Sequence, residues 1–593
     1  MPVEPIRDLP IIGYYDVQRF PQFCPADCAN WYIVPNTEGK KQVAMYPTLG
    51  RKHVTFLSTN QLIFAAEPRA IFKSVNYFYV VVSDKIYRVD ANFNTIEITT
   101  GLFTSLVGNV FFDFLVFTTY TYACFTDGQK IYVYSESAGT FHVVTDTNAP
   151  VNPTYIATFG NRIVVSQANS SQFSLSAINL GGATFDASTC FTISGEAVFA
   201  QEDGYIQQMA VLHNTLYIFT PYRTGIWSNT PSIFSGFDPP ATFPFKKNSS
   251  IDFNFGLNDP LSLSVGFNMM AWEGRNEDGL VQFMVSSGGA PQIISTKAVD
   301  VLLQQNVIDV ANNPFISTVT QGFLYSYENT IFYRVSLGRY VDLSLVDYPE
   351  NAFSIEYNFD AQQWNRVIEA NGERCRVQKS VYFSGRHLAT VEGEGTIYEI
   401  SGEFYVNEIR NPLQTNPQAP DAYTAEPFRY ERITPIIHED DYAEFLTEYV
   451  EIDFVWGDQD FVYSLDGFQN TVYIADETST DASPLLMIED GQPDVDPVFI
   501  VAEVGNTPAL NESTYNTLYK PSIELFYSDD GGISFLSADV REFSQLGVYR
   551  WRMRWYQLGT SRNRVYKLIC VSPAPIVVLG AVMNVRRVGS VGH

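Results

Sequence analysis

The residues whose types and spacing most clearly suggest chemistry are arginines near the C-terminal end. Arg550-Trp551-Arg552-Met553-Arg554-Trp555 alternates cationic and apolar side chains, and Arg562 and Arg564 follow. With a two-residue period, a strand here sets three guanidinium groups on one face and Trp551, Met553 and Trp555 on the other. From Arg541 to Arg587 nine basic residues stand against one acid, Glu542, in a chain with 37 Lys plus Arg, 65 Asp plus Glu and a net charge of −28. Such a strip could make head-to-tail contact between copies or dock on an acidic partner. It could also pair inside its own domain with the acidic stretch 457–520, or touch DNA phosphates. We read Arg550, Arg552, Arg554, Arg562 and Arg564 as a candidate partner interface.

Other chemistry is thinner. Ser528-Asp529-Asp530-Gly531-Gly532-Ile533-Ser534-Phe535 fits the S-x-D-x-G-x-[ST]-[WF] pattern of the Asp box, which recurs in sialidases, themselves propellers. Its structural reading is a hairpin whose Asp side chain bonds backbone N–H groups, and a single copy favours that reading over a glycosidase. The 65 carboxylates are abundant, but nothing in the sequence ties two of them to one pocket. His53, His142, His213, His387, His438 and His593 are scattered without metal-ligand spacing. Cys24 and Cys28 lie close together, but no second pair completes a zinc site, and free thiols are expected, with a Cys24–Cys28 bridge as the alternative. The acids of 490–497 lack the spacing of a calcium loop. No nucleophile elbow, P-loop or dinucleotide fingerprint is present. The expectation is therefore no catalytic residue, no cofactor and no metal.

The elements that must carry these residues are strands. Short Val, Ile, Phe, Tyr and Thr runs split by Gly, Asn, Asp and Pro fill most of the chain. Helical spacing is confined to 296–305 and, more weakly, 441–448. Between residues 70 and 405 a loose unit of two strands and a polar turn recurs seven times: 77–89, 112–134, 156–165, 209–219, 269–285, 323–335 and 381–400. Starts about 35 to 60 residues apart fit four-stranded propeller blades. A β-sandwich pair gives similar local text, but the unbroken run favours the propeller. The prediction is an all-β chain: a β-propeller of six or seven blades, then a C-terminal antiparallel β-sandwich of jelly-roll type. The expected divisions are an N-terminal extended segment (1–55), the propeller (56–404), a Pro-rich linker (405–425) and the sandwich (426–593) with an acidic insertion at 457–520.

Composition excludes several classes. The chain is 15% aromatic, with 44 Phe and 36 Tyr, and only 17% charged, against about 25% for an average soluble protein. That is neither a disordered chain nor a coiled coil. The acidic balance argues against gripping DNA from outside, because such proteins displace counterions with basic surface. A lumen through which DNA slides without sticking is still compatible with it. No run reaches the ~18 apolar residues of a membrane helix. Met1-Pro2-Val3-Glu4-Pro5 has neither the basic nor the apolar region of a signal peptide.

Two blocks carry a family resemblance. Near the start stand Cys28-Ala29-Asn30-Trp31-Tyr32, Gly39-Lys40 and Tyr46-Pro47-Thr48-Leu49-Gly50-Arg51-Lys52. Near the end stand Leu525-Phe526-Tyr527-Ser528-Asp529-Asp530-Gly531-Gly532, Tyr549-Arg550-Trp551-Arg552, Leu558-Gly559-Thr560-Ser561-Arg562 and Val565-Tyr566-Lys567-Leu568. Together, over about 100 residues, this text resembles the opening and closing blocks of the packaged-DNA stabilisation proteins, the tail hubs of short-tailed (podovirus) phages. The middle matches only as β-rich text, and 457–520 departs from the pattern as an insertion between strands that usually lie closer. The resemblance implies a non-enzymatic virion tail protein, assembled in the host cytoplasm. It implies a homohexameric ring of propellers below the portal and adaptor, which helps retain packaged DNA, carries the tail needle and fibres or tailspikes, and frames a channel for genome ejection. The rival expectations are a carbohydrate-active propeller, such as a sialidase-like glycoside hydrolase, and a glycan-binding adhesin.

Overall fold

A computed structural model of the chain describes residues 6–35, 43–54, 62–99, 105, 108–178, 185–192, 199–234, 241–248, 252–312, 316–317, 320–340, 352–411, 422–439, 441–456, 522–543 and 550–588. The chain divides into two compact units. One comprises residues 14–20 and 51–401, the other residues 1–13, 21–50 and 402–593.

The first unit contains seven blade-like antiparallel sheets among the described residues, each including strands of one of the recurring units, besides the two-stranded pairs Ser232–Phe234 with Ala241–Phe243 and Ile316–Ser317 with Arg339–Tyr340. The sheets begin with Ala70–Lys73, Phe111–Val116, Pro153–Phe159, Gln208–Leu212, a split strand (Gly256–Leu257 and Ser264–Gly266), Gln321–Tyr327 and Val377–Phe383. In the third to seventh sheets the turn after the inner strand is two residues long with both φ positive: Gly160-Asn161, His213-Asn214, Phe267-Asn268, Glu328-Asn329 and Ser384-Gly385. Asn and Gly tolerate that region, and such turns match the twist of a hairpin.

Each sheet buries apolar side chains against the next. Tyr79 and Val81 meet Ala123 and Phe125 between the first and second sheets, where Phe72 stacks on Phe112 at 5.0 Å. Tyr122 and Val133 meet Ile156 and Ile163, then Phe159 and Phe173 meet Leu216 and Trp227. Leu212 and Phe219 meet Met270 and Trp272, and Phe283 meets Tyr333 and Trp364. Between the sixth and seventh sheets the joint is polar: the Ser336 hydroxyl donates to Val377 O (3.1 Å) and the Ser354 hydroxyl to Cys375 O (2.9 Å). Finally Phe383 and Leu388 of the seventh sheet pack on Ile71 and Val80 of the first. The seven joints form a closed wheel, a β-propeller with seven blades.

The wheel is closed by chain from its own beginning. Residues 51–53 lie beside Ile397–Ser401 as the outer strand of the seventh sheet. The Ile397 N–H donates to Leu62 O (2.9 Å) and the Phe64 N–H to Gly395 O (2.8 Å). Arg51 sits buried on the buried Glu369 at 2.6 Å. A segment expected merely to lead into the propeller thus supplies its clasp, because an isolated three-stranded last blade would leave an unpaired edge.

The second unit is an antiparallel sandwich. One sheet runs Trp31–Pro35, Val43–Pro47, Ile576–Arg587, Phe445–Trp456, Arg550–Tyr556, with Ile6–Leu9 also on Ile576–Arg587. The other runs Val406–Arg410, Tyr423–Ile433, Val565–Ser572, Ser522–Ser528, Leu536–Glu542, with Pro25–Ala29 also on Tyr423–Ile433. One apolar core, including Trp31, Tyr430, Ile452, Leu525, Trp555 and Leu568, joins them. Trp31 stacks on Tyr430 at 5.0 Å and its indole N–H donates to Ile576 O (2.7 Å).

Three expectations need correction. The linker expected over 405–425 contains a hairpin, Val406–Arg410 paired with Tyr423–Ile433. Its prolines at 412, 417 and 420 fall outside the described residues. The helix expected over 441–448 is the start of the strand Phe445–Trp456, since the Ile576–Arg587 strand offers it a full ladder and the core takes Phe445. Local helical spacing yields there to tertiary pairing. The 1–55 segment contributes strands to the sandwich as well as the clasp. The helix expected over 296–305 exists as Lys297–Asn312, with Ala298, Val299 and Leu303 buried. The insertion 457–520 lies outside the described residues.

Candidate functional site

The arginine strip occupies one face of the strand Arg550–Tyr556. Met553 and Trp555 point into the sandwich core and Trp551 packs against it, while Arg550, Arg552 and Arg554 are exposed. The strand pairs with Phe445–Trp456 so that Arg554 lies opposite Glu451 and Arg552 opposite Asp453. Both acids point to the arginine face. Arg550 forms a bidentate pair with Asp453 (3.1 and 2.7 Å), Arg554 bonds Glu451, and Arg552 reaches both acids at 3.7 and 3.9 Å. Arg554 also lies 5.0 Å over the Tyr449 ring. Hydrogen bonds donated to these carboxylates raise Arg550 and Arg554 above the usual guanidinium range.

The geometry is therefore a ladder of three cations on two anions. The guanidinium side chains remain 49 to 61% exposed, whereas Glu451 and Asp453 are only 11 and 9% exposed. The exposed face is cationic, with the acids beneath. Pairing inside the domain does occur, with Glu451 and Asp453; the 457–520 stretch lies outside the described residues. The signal for these two acids was their alternation in Glu451-Ile452-Asp453-Phe454.

Arg562 is exposed. Arg564 is not part of a surface. It is buried, binds Asp529 with two guanidinium nitrogens (2.7 and 3.2 Å), and donates to Leu558 O (2.6 Å) and Thr560 O (3.3 Å). Its place in the interface is corrected: it ties the 528–532 turn to the body of the sandwich, because a buried guanidinium needs its donors met.

The Asp box is likewise engaged in its own turn. Asp530 accepts from the N–H groups of Ile533 (2.9 Å) and Ser534 (3.0 Å), and the Ser528 hydroxyl donates to it (2.6 Å). Hydrogen bonds from Ser528 and Ser534 hold its carboxyl well below the usual range. Gly531 and Gly532 both have positive φ, which the turn requires. A carboxylate held this way is an acceptor in a turn, not a general acid.

In the wheel, Glu202, Asp203 and Asp252 bring carboxylate oxygens within 4.8 Å of one another. The ammonium of Lys247 fills that cluster, bonded to Glu202, to Asp203 at 2.8 Å and to Asp252 at 3.5 Å. None of the six cysteines is in a disulfide, and Cys28, Cys124, Cys190, Cys375 and Cys570 are buried. No helix among the described residues is long and apolar enough to cross a membrane.

No protein-family model matches the chain, and no curated protein matches it. Solved structures similar to it include the WD40 domain of Pan2 from Neurospora crassa (7% identity, 62% of this chain and 97% of that one, TM-score 0.34). Another is the extracellular domain of a hybrid two-component system protein from B. thetaiotaomicron (10% identity, 65% and 46%, TM-score 0.31). A third is PorZ, a surface component of the type-IX secretion system of Porphyromonas gingivalis (11% identity, 66% and 44%, TM-score 0.30). The chain spans less than half the length of the last two. At these scores the likeness carries no weight of its own, and the propeller rests on the strand pairings of the chain itself.

Proposed function

We propose that this chain is a structural virion protein, the tail hub of a short-tailed phage, working as a homo-oligomeric ring and not as an enzyme. One observation carries the reading. The two blocks that resemble the packaged-DNA stabilisation proteins are some 500 residues apart in sequence, yet both, apart from Arg51 and Lys52 at the end of the first, belong to the sandwich unit. Trp31 of the opening block and Tyr566 and Leu568 of the closing block share its core. A resemblance concentrated in one physical unit is what a preserved attachment module would leave.

Three further features support it. The exposed arginines lie on a body whose net charge is −28, which favours contact between copies. The same acidity discourages adhesion of passing DNA. The Asp box, the one motif shared with glycosidases, is committed to a turn. In this reading copies assemble below the portal and adaptor, help retain the genome, and hold the needle and fibres or tailspikes.

Mass spectrometry and immunogold labelling of purified particles test the proposal. The chain is expected in the tail at several copies per particle, and its absence from the tail would end the idea. Turnover of fluorogenic glycosides would favour the carbohydrate-active reading, and glycan-array binding the adhesin reading.

A further inference from the structure

The inner strand of the fifth sheet is interrupted, and the interruption crosses the wheel. Between Gly256–Leu257 and Ser264–Gly266, both paired to Met269–Arg275, the chain leaves the ladder and makes the 3-10 turn Pro260–Ser262. Leu261 packs against the core shared by the second and third sheets. To reach it, the segment must pass inside the fourth sheet, across the axis. It is held there by polar contacts. Asp259 accepts from the N–H groups of Leu261 (2.8 Å) and Thr320 (3.0 Å), the latter at the start of the sixth sheet. The Tyr333 hydroxyl donates to Ser262 O (2.7 Å).

Beneath this stopper lies Glu273, 2% exposed. Its Oε1 accepts from Asn258 (3.0 Å) and the Thr320 side chain also reaches the carboxyl, but Oε2 is buried without a hydrogen bond. The titratable groups acting on the pair are each other, Tyr333 from the sixth sheet and Tyr155 from the third. Arg275, on the same strand, is turned to the Tyr222 ring at 5.4 Å. A buried and a half-buried carboxyl beside phenols, with no cation acting on them among the described residues, cannot both ionise without penalty.

We propose that residues 258–263 form a proton-held stopper of the wheel, seated while the Asp259–Glu273 pair retains a proton and loosened when both carboxyls are ionised. Burial pushes Glu273 up to about 7, with the Asp259 charge adding to the rise and the Thr320 and Asn258 hydrogen bonds opposing it; burial likewise pushes Asp259 up to about 6. The native state then holds protons that the open state releases, so the seated form weakens as pH rises.

Hydrogen exchange at the Leu261 and Ser262 amides of the full chain tests this. After correction for intrinsic rates, protection is expected to be about tenfold lower at pH 8 than at pH 6, with no further fall above pH 8. Glu273→Gln keeps an acceptor for Asn258 and is expected to leave only the small pH dependence that Asp259 contributes. Equal protection of the wild type at both pH values, or an undiminished tenfold change in E273Q, would overturn the proposal. If E273Q does not fold, infrared difference spectra of the wild type decide: a protonated-carboxyl band must disappear between pH 6 and pH 8, and its absence at pH 6 would refute the stopper.

Discussion

Arg334 and Glu356 are both fully buried in the sixth sheet, 2.7 Å apart, with the Tyr325 hydroxyl bonded to the same carboxylate. Removing one member strands the other charge away from water, whereas replacing both by apolar groups does not. Arg334→Met is expected to cost about 3–5 kcal/mol, and the double variant Arg334→Met with Glu356→Leu to recover most of it, as measured by denaturant unfolding. Asp113, on the second sheet, gives a pH signature. Burial pushes it up to about 6 although Phe114 N–H and the Thr158 N–H and hydroxyl all donate to it. Its folded value lies above the unfolded one, so the native state binds the extra proton. Its stabilising contribution therefore falls as pH rises from about 4 to about 6 and is constant above. Against Asp113→Asn, the wild type is expected to lose relative stability over that window in thermal melts at stepped pH. Little of this was legible beforehand. The alternation of 550–555 gave the arginine face and its apolar back, but Arg564 follows the same text and is buried, because only the fold brings Asp529 to it. Nothing in the sequence distinguishes Glu356 or Glu273 from the surface carboxylates.

At the scale of elements the sequence was far more informative. Five of the seven hairpins read from strand text pair as read, since apolar runs broken by Asn or Gly turns encode local antiparallel pairs; in 112–134 and 381–400 the reading passed over the strands Thr121–Thr126 and Arg386–Val391, which lie between the two runs. The outer strands were not legible: Lys246–Lys247 and Gln292–Ile293 are two residues long and carry no pattern. The clasp at 51–53 was hidden for another reason, because its partner Ile397–Ser401 lies more than 300 residues away. Close approach between sheets supplies a prediction. A Cβ added at Gly256 would stand 2.1 Å from Thr220 O and 2.4 Å from Tyr222 N, backbone that cannot yield as a side chain would. Gly256→Ala is expected to destabilise the wheel by about 1–3 kcal/mol. Exchange should speed up first at Leu257, whose N–H donates to Thr220 O at 2.9 Å.

For the whole molecule, the question is what the exposed cationic face meets. Arg552 and Arg554 are exposed, and a glutamine in place of either keeps a hydrogen-bond donor for Glu451 and Asp453 without setting like charges beside them, so Arg552→Gln with Arg554→Gln should shift the melting temperature little while weakening assembly. A variant that melts much earlier yet assembles normally would place the face inside the fold's own stability instead. The stopper across the axis bears on the proposed role as well: nucleic acid would travel between wheels, not through one. The most direct measurement is a cryo-electron microscopy map of the intact particle. The account predicts seven-bladed wheels repeated about a common axis around a central passage, with Arg550, Arg552 and Arg554 at a contact between subunits. A tail lacking this chain, or wheels with no shared axis and a substrate pocket in each, would contradict it.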